Sequence, residues 1–458
     1  MPSGHAGLRG TIKRVVGHRR RRLRLLCLER ERRRIARLRE LRKRRLATGA
    51  LYKPRASYAP GYEPVVALFA PMGRQARLRG HPLEATITCP PRFSFIDTPD
   101  ESIQCVADFC AAIVSGARVI RLVQTDCTDI DLCAASVLNA AGISARKEYG
   151  VRFRGAYPNA APAREIVMAT GLPRCLGLPV PEPEAFMTHP LRCCRRGRET
   201  AGSASVKERE TQDLADYVNA CLGRYSCTLS APGKDYVAKL VGEVITNAEE
   251  HSGRQDWWIG AYLRQPAGQA YGDCHLTIFN FGRSLAESLQ QLPNGSRLRQ
   301  EINALVKLHR RSTYFYPSRW TEENLWTLYA LQEGVSWRND QTDLLGHHGL
   351  GTIKMIETFQ HLGQTSRTGV QPLMCIASGR THILFDSRFR LQSQDSERGE
   401  QRRVIAFNKA NDLRLPPDPG SVRRLRRPFP GTLISLRFYL DPVYLIQVAR
   451  GGSGGGQD

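Results

Sequence analysis

Between Phe93 and Gly171 short β-forming runs alternate with helical segments, and that alternation most narrows what this chain can become. FSFI (Phe93–Ile96), VIRLVQ (Val119–Gln124) and VRFRG (Val151–Gly155) read as strands. Between and after them lie a helix from about Pro99 to Val114, a second opening out of Thr128-Asp129-Ile130-Asp131, and a third in AREIVMATG (Ala163–Gly171). Asp97-Thr98-Pro99 supplies an N-cap candidate and a proline suited to a first helical turn. Strand–helix alternation predicts an α/β layer.

This region, taken as 91–184, resembles a STAS domain, the antagonist module of bacterial anti-sigma switches. The resemblance rests on a strand followed by Thr128-Asp129-Ile130-Asp131 opening a helix. The serine that this family often phosphorylates after the aspartate has no counterpart, because Leu132 and Cys133 follow Asp131. Flanking it, 56–90 reads as a Pro/Gly/Tyr-rich linker and 185–210, Pro-rich then highly charged, as a second linker.

From 211 to 448 a longer domain is expected. Its first helix contains GEVITNAEEHS, in which Glu243, Asn247 and His251 recur every four residues and so share one helical face. LTIFNFGRS (Leu276–Ser284) follows as a strand ending at Gly282, then helical stretches around 298–310 and 322–332. Gly349-Leu350-Gly351-Thr352 opens another helical pattern. Glycines before a helix allow close backbone approach, and the helix N-terminus offers free N–H groups to phosphate. THILF and PGTLISLRF close the domain as strands, the second entered through Gly431-Thr432.

That order resembles the GHKL ATPases, the superfamily of histidine kinases, anti-sigma-factor serine kinases, gyrase B-type topoisomerases and heat-shock chaperones. It implies a two-domain α/β protein: a small STAS-like layer, then a GHKL-type sandwich whose mixed sheet is covered by helices. The resemblance also implies a Mg-ATP site. Asn247 would ligate Mg2+, Glu243 would activate water or a hydroxyl, and Gly349, Leu350, Gly351 and Thr352 would hold phosphates. Asn280 and Gly282 stand at the adenine-reading motif, with Asn280 in place of the family's aspartate and Ser284 in place of its second glycine; Thr432 would support the adenine pocket. The stretch between Arg283 and Gly346 sits where the family has its lid. Leu325, Leu328 and Leu331 suit a packed helical insertion there, and Lys307, His309, Arg310 and Arg311 suit either phosphate contact or a solvated face.

Charge is uneven. Residues 1–50 hold 18 Lys or Arg against three Glu, which is most of the chain's net +24. The stretch 19–45 therefore has the footprint of a phosphate-binding arm for nucleic acid or an anionic surface, or of a solvated basic tail. The 13 cysteines are scattered, odd in number and without a CxxC pair, which favours reduced thiols in a cytoplasmic protein. No apolar run is long enough for a membrane span, and the Gly-rich end 449–458 reads as a disordered tail. Together these features predict a cytoplasmic ATP-binding regulator that transfers phosphate to a protein serine or threonine, hydrolyses ATP, or switches shape on binding it. Its phosphoacceptor or protein partner is not named by the sequence, and a homodimer is allowed. The rival expectation is a non-catalytic interaction protein with a degenerate nucleotide site, acting through its basic arm (1–55).

Overall fold

The computed structural model describes residues 63–440 apart from 76–77, 81–82, 196–204, 252–253, 255, 266–267, 269–270, 313, 315–319, 336–350, 366–370 and 396–400. The basic arm and the Gly-rich end lie outside the described residues.

The first part runs α1 (Val65–Phe69), β1 (Glu84–Thr88), β2 (Arg92–Phe93), α2 (Pro99–Val114), β3 (Val119–Val123) and β4 (Asp129–Ile130). It continues through α3 (Leu132–Tyr149), β5 (Arg152–Ala156), α4 (Ala161–Thr170) and α5 (Leu172–Cys175). β1, β3 and β5 form a parallel sheet in that order, and β2 pairs with β4, also in parallel. Parallel neighbours need a crossover, here supplied by α2 and α3. β2 stops at Phe93, short of the strand expected through Ile96. The Asp131 carboxylate takes the N–H groups of Phe95 (2.6 Å) and Ile96 (3.1 Å), so the chain turns there instead of extending.

The second part runs β6 (Phe186–Arg195), α6 (Val206–Gly223), α7 (Ala231–His251), β7 (Asp256–Arg264), β8 (Gly272–Phe281), α8 (Leu285–Gln290) and α9 (Arg297–Arg311). Then come α10 (Glu322–Tyr329), α11 (Gly351–Thr365), β9 (Leu373–Phe385), β10 (Gln392–Asp395), β11 (Gln401–Val404) and β12 (Val422–Leu440). The sheet order is β6-β7-β8-β12-β9, and every neighbouring pair is antiparallel. The protein is thus mixed α/β, but its parallel and antiparallel strands lie in separate sheets, where a mixed sheet had been expected in the second part.

Three expected boundaries shift. Residues 56–90 include α1 and β1, the latter an edge strand of the parallel sheet. Of the expected linker 185–210, residues 186–195 form β6, and α6 begins at Val206. The described residues fall in one compact unit, so the described parts of 91–184 and 211–448 belong to the same body.

Buried aromatic rings make the join. Alternate residues of β7, β8, β9 and β12 face opposite ways. Trp257, Ile259, Ile278 and Ile376 pack with Val244, Ile245 and Ala248 of α7 in one core. On the opposite face, Phe281 meets Phe69 (ring centroids 5.9 Å) and Phe429 meets Phe95 (5.8 Å), all four rings buried. Burial of one such ring stabilises by about 2–3 kcal/mol. His382 Nε2 donates to the Phe95 carbonyl across the same join (2.8 Å). Among the described residues no helix is long and apolar enough to cross a membrane.

Candidate functional site

Glu243 and Asn247 both lie on α7, four residues apart as the spacing required. Val241, Val244, Ile245 and Ala248 are buried against the antiparallel sheet, which fixes the roll of the helix. On its flank Lys207 of α6 donates to the Thr246 hydroxyl, which itself donates to the Gly242 carbonyl at 2.6 Å. Glu243 is half-buried and makes no hydrogen bond or ion pair among the described residues. The side chains of Asn247 and His251 lie outside the described set.

At the end of β8, Asn280 is 2% exposed. Its Nδ2 donates to the Ala248 carbonyl of α7 (2.9 Å), and its Oδ1 accepts the Thr432 N–H of β12 (3.2 Å). An aspartate could not make the first bond, since a carboxylate has no donor. Here Asn280 ties a helix to two strands, with each end of its amide bonded once to backbone. Thr432 Oγ1 lies 2.8 Å from Ser378 Oγ of β9, which accepts the Leu285 N–H (2.8 Å). Asn280, Thr432 and Ser378 are cross-strand partners in one row. Ser378 carries no sequence signal of its own, because only register brings it there.

The glycines on this row are framework too. Gly282 has φ +141 and donates its N–H to Pro430 (2.9 Å). Gly431 has φ +148, and a Cβ there would meet the Asn280 carbonyl oxygen at 2.2 Å. Ser284, where the family pattern has glycine, caps α8. Its Oγ accepts the Glu287 N–H while the Glu287 carboxylate accepts the Ser284 N–H.

Gly351 opens α11 and Thr352 follows it, half-buried; α11 packs on α7 and β12. Gly349 and Leu350 lie outside the described residues. The structure therefore gathers Glu243, Asn247, Gly351 and Thr352 onto two packed helices, over the row that contains Asn280 and Thr432. The stretch 284–335 is a packed insertion in its described part: Leu325, Leu328 and Leu331 are each at most 1% exposed. His309 is buried, accepting from Trp320 Nε1 (3.3 Å) and bonded through Nε2 to the Leu413 carbonyl (2.9 Å), so it is held in the core. Arg310 pairs with Glu322 (2.5 Å). Among the described residues no group of three or more His, Cys, Asp or Glu is placed to hold a metal ion.

A cleft of about 1600 Å³ lies away from α7, along β1 and α2. Asp100, Glu101, Arg154 and Arg426 line it, as do Cys89 and Cys105. Part of its charge is internally matched, by Arg74 on Asp108 (2.6 Å) and Arg121 on Glu84 (2.8 Å). Sequence reading missed it, since its walls come from segments over 300 residues apart.

Compared with protein-family models, curated proteins and solved structures, the chain matches none.

Proposed function

We propose that the chain is an ATP-binding regulatory protein whose antiparallel sheet, with α6, α7 and α11, serves as a GHKL-type nucleotide sandwich. The observation that carries this reading is Glu243. Its carboxylate is half-buried and meets no hydrogen-bond or ion-pair partner among the described residues. It stands on a helix packed against the helix that Gly351 opens, where free N–H groups favour a phosphate.

In this reading Asn247 offers an amide oxygen to Mg2+, an ion that binds through few protein oxygens plus phosphates. When bound, the ion would neutralise phosphate charge. Glu243 orients or deprotonates the attacking water or hydroxyl, one helical turn from Asn247. Asn280 and Thr432 hold the floor in register.

The test is calorimetry of ATP with Mg2+ on wild type and Asn247→Ala. Magnesium-dependent binding in wild type that is lost in N247A supports the proposal. Absence of such binding in wild type would sink it. Glu243→Ala is expected to keep nucleotide and lose turnover, whether phosphate goes to a protein serine or threonine or to water. The rival reading, a non-catalytic interaction protein, is favoured by the internal bonding of Asn280. Deletion of residues 1–51, followed by nucleic-acid binding measurements, tests its basic arm.

A further inference from the structure

Three thiols converge where β1 ends against α2. Cys89 follows directly on β1, Cys105 lies on α2, and Cys127 precedes β4. Cys105 Sγ is 3.8 Å from Cys89 Sγ and 3.9 Å from the Thr88 carbonyl; Cys127 donates to the Pro90 carbonyl at 3.2 Å. Cys89 and Cys105 are 2% and 5% exposed, yet both line the cleft, so a small oxidant can reach them from that side. Neither sulfur has a role in the proposed nucleotide site.

We propose that Cys89 and Cys105 are a reversible thiol–disulfide pair, oxidised by a hydroperoxide entering through the β1–α2 cleft. Cys105 Sγ attacks the peroxide O–O bond to give a sulfenic acid, its proton leaving with the departing oxygen, as water when the peroxide is H2O2. The second thiol attacks that sulfur, the S–S bond forms, and the hydroxyl departs as a second water. Two thiols are oxidised and one peroxide is reduced. Cys127 lies beside them, donating to the Pro90 carbonyl, and its hydrogen bond with Cys89 lowers its pKa against the opposing effect of burial. The same contacts, with Cys105 first, raise that of Cys89 well above the usual thiol value.

The bond would close a 16-residue separation in sequence. That loop carries the contacts to the antiparallel sheet: Phe95 with His382, Asp97 with Arg423, and Asp100 with the Arg426 N–H. Oxidation would thus fix the loop that docks the first part of the protein on β9 and β12.

The experiment treats reduced full-length chain with hydrogen peroxide, unfolds it in alkylating agent, and maps the peptides by mass spectrometry. The expected result is a loss of two titratable thiols and a peptide joined through Cys89 and Cys105, reversed by dithiothreitol. Cys127→Ser keeps the joined peptide, and Cys105→Ser loses it. Cys105→Ala and circular dichroism on both variants confirm that the fold is intact. Recovery of Cys89 and Cys105 fully alkylated, while exposed Cys193 is oxidised, would overturn the proposal. So would a Cys89–Cys127 pairing.

Discussion

Asp131 and Glu243 are both carboxylates set on helices, and their surroundings differ. Asp131, at the N-cap of α3, is buried and accepts from Ser94 Oγ (2.7 Å) and from the N–H groups of Phe95, Ile96 and Ala134 (2.6, 3.1 and 2.6 Å). Its charge is fully consumed in turning the chain from β2 toward α2. Glu243, midway along α7, is half-buried and engages no described residue. A carboxylate whose oxygens are matched by N–H and O–H donors belongs to the fold; Glu243, engaged by none of the described residues, is the one proposed for chemistry.

The largest expected effect tests the first half of that contrast. Asp131→Ala strands three backbone N–H groups and a hydroxyl, and should cost on the order of 3–5 kcal/mol in urea unfolding. A loss below about 1 kcal/mol would show that the clamp is dispensable and erase the contrast. Asn280→Asp should be the next most damaging. It removes the donor to Ala248 and sets a carboxylate against that carbonyl, for a loss of about 2–3 kcal/mol. No gain in ATP affinity should accompany it. Increased affinity in N280D would mean that the amide reads a base after all.

Much of this division was legible in the sequence, and what was not has physical causes. The four-residue spacing of Glu243 and Asn247 defines the polar face of α7 directly. Asn280 was placed correctly at a strand end, but its partners on α7 and β12 are set by register, which one strand cannot disclose. HPLRCCRR reads as a linker because it carries a proline and several arginines. It is an edge strand with a register shift between His189 and Arg192, where Pro190 needs no ladder bond and charge guards the edge. The first half of β12 was hidden in the same way by Pro428 and Pro430, which fall in its irregular stretch.

Acid sharpens the comparison by adding buried groups that the fold keeps neutral. Burial, then the Arg423 charge, pushes His382 down to about 3, and burial pushes His189 down to about 4. Each folded-state pKa is depressed below the ordinary 6.5, so the unfolded chain binds protons first as pH falls. Their stability is complete above 6.5 and drains away toward about 3 for His382. Asp131 has the opposite sign. Burial raises its pKa, so its contribution is greatest below the ordinary carboxylate value and is lost as pH rises through the raised one. His382→Gln should therefore flatten the acid limb of the stability profile by about 1.4 kcal/mol per pH unit, the value of one proton. An unchanged slope between pH 6 and about 4, measured by urea unfolding, would show that His382 is not neutral at the join.

The smallest expected change in stability carries the most about function. Glu243→Gln preserves shape and removes only the charge and the capacity to take a proton. With no described partner to strand, it should shift unfolding by less than about 0.5 kcal/mol, in contrast to Asp131→Ala. If Glu243 activates the attacking group, turnover should fall by about 100-fold or more while nucleotide still binds. Retained turnover would remove Glu243 from catalysis and leave α7 as a binding wall. A fall in stability of several kcal/mol would instead place Glu243 beside Asp131, as a charge that the fold itself consumes.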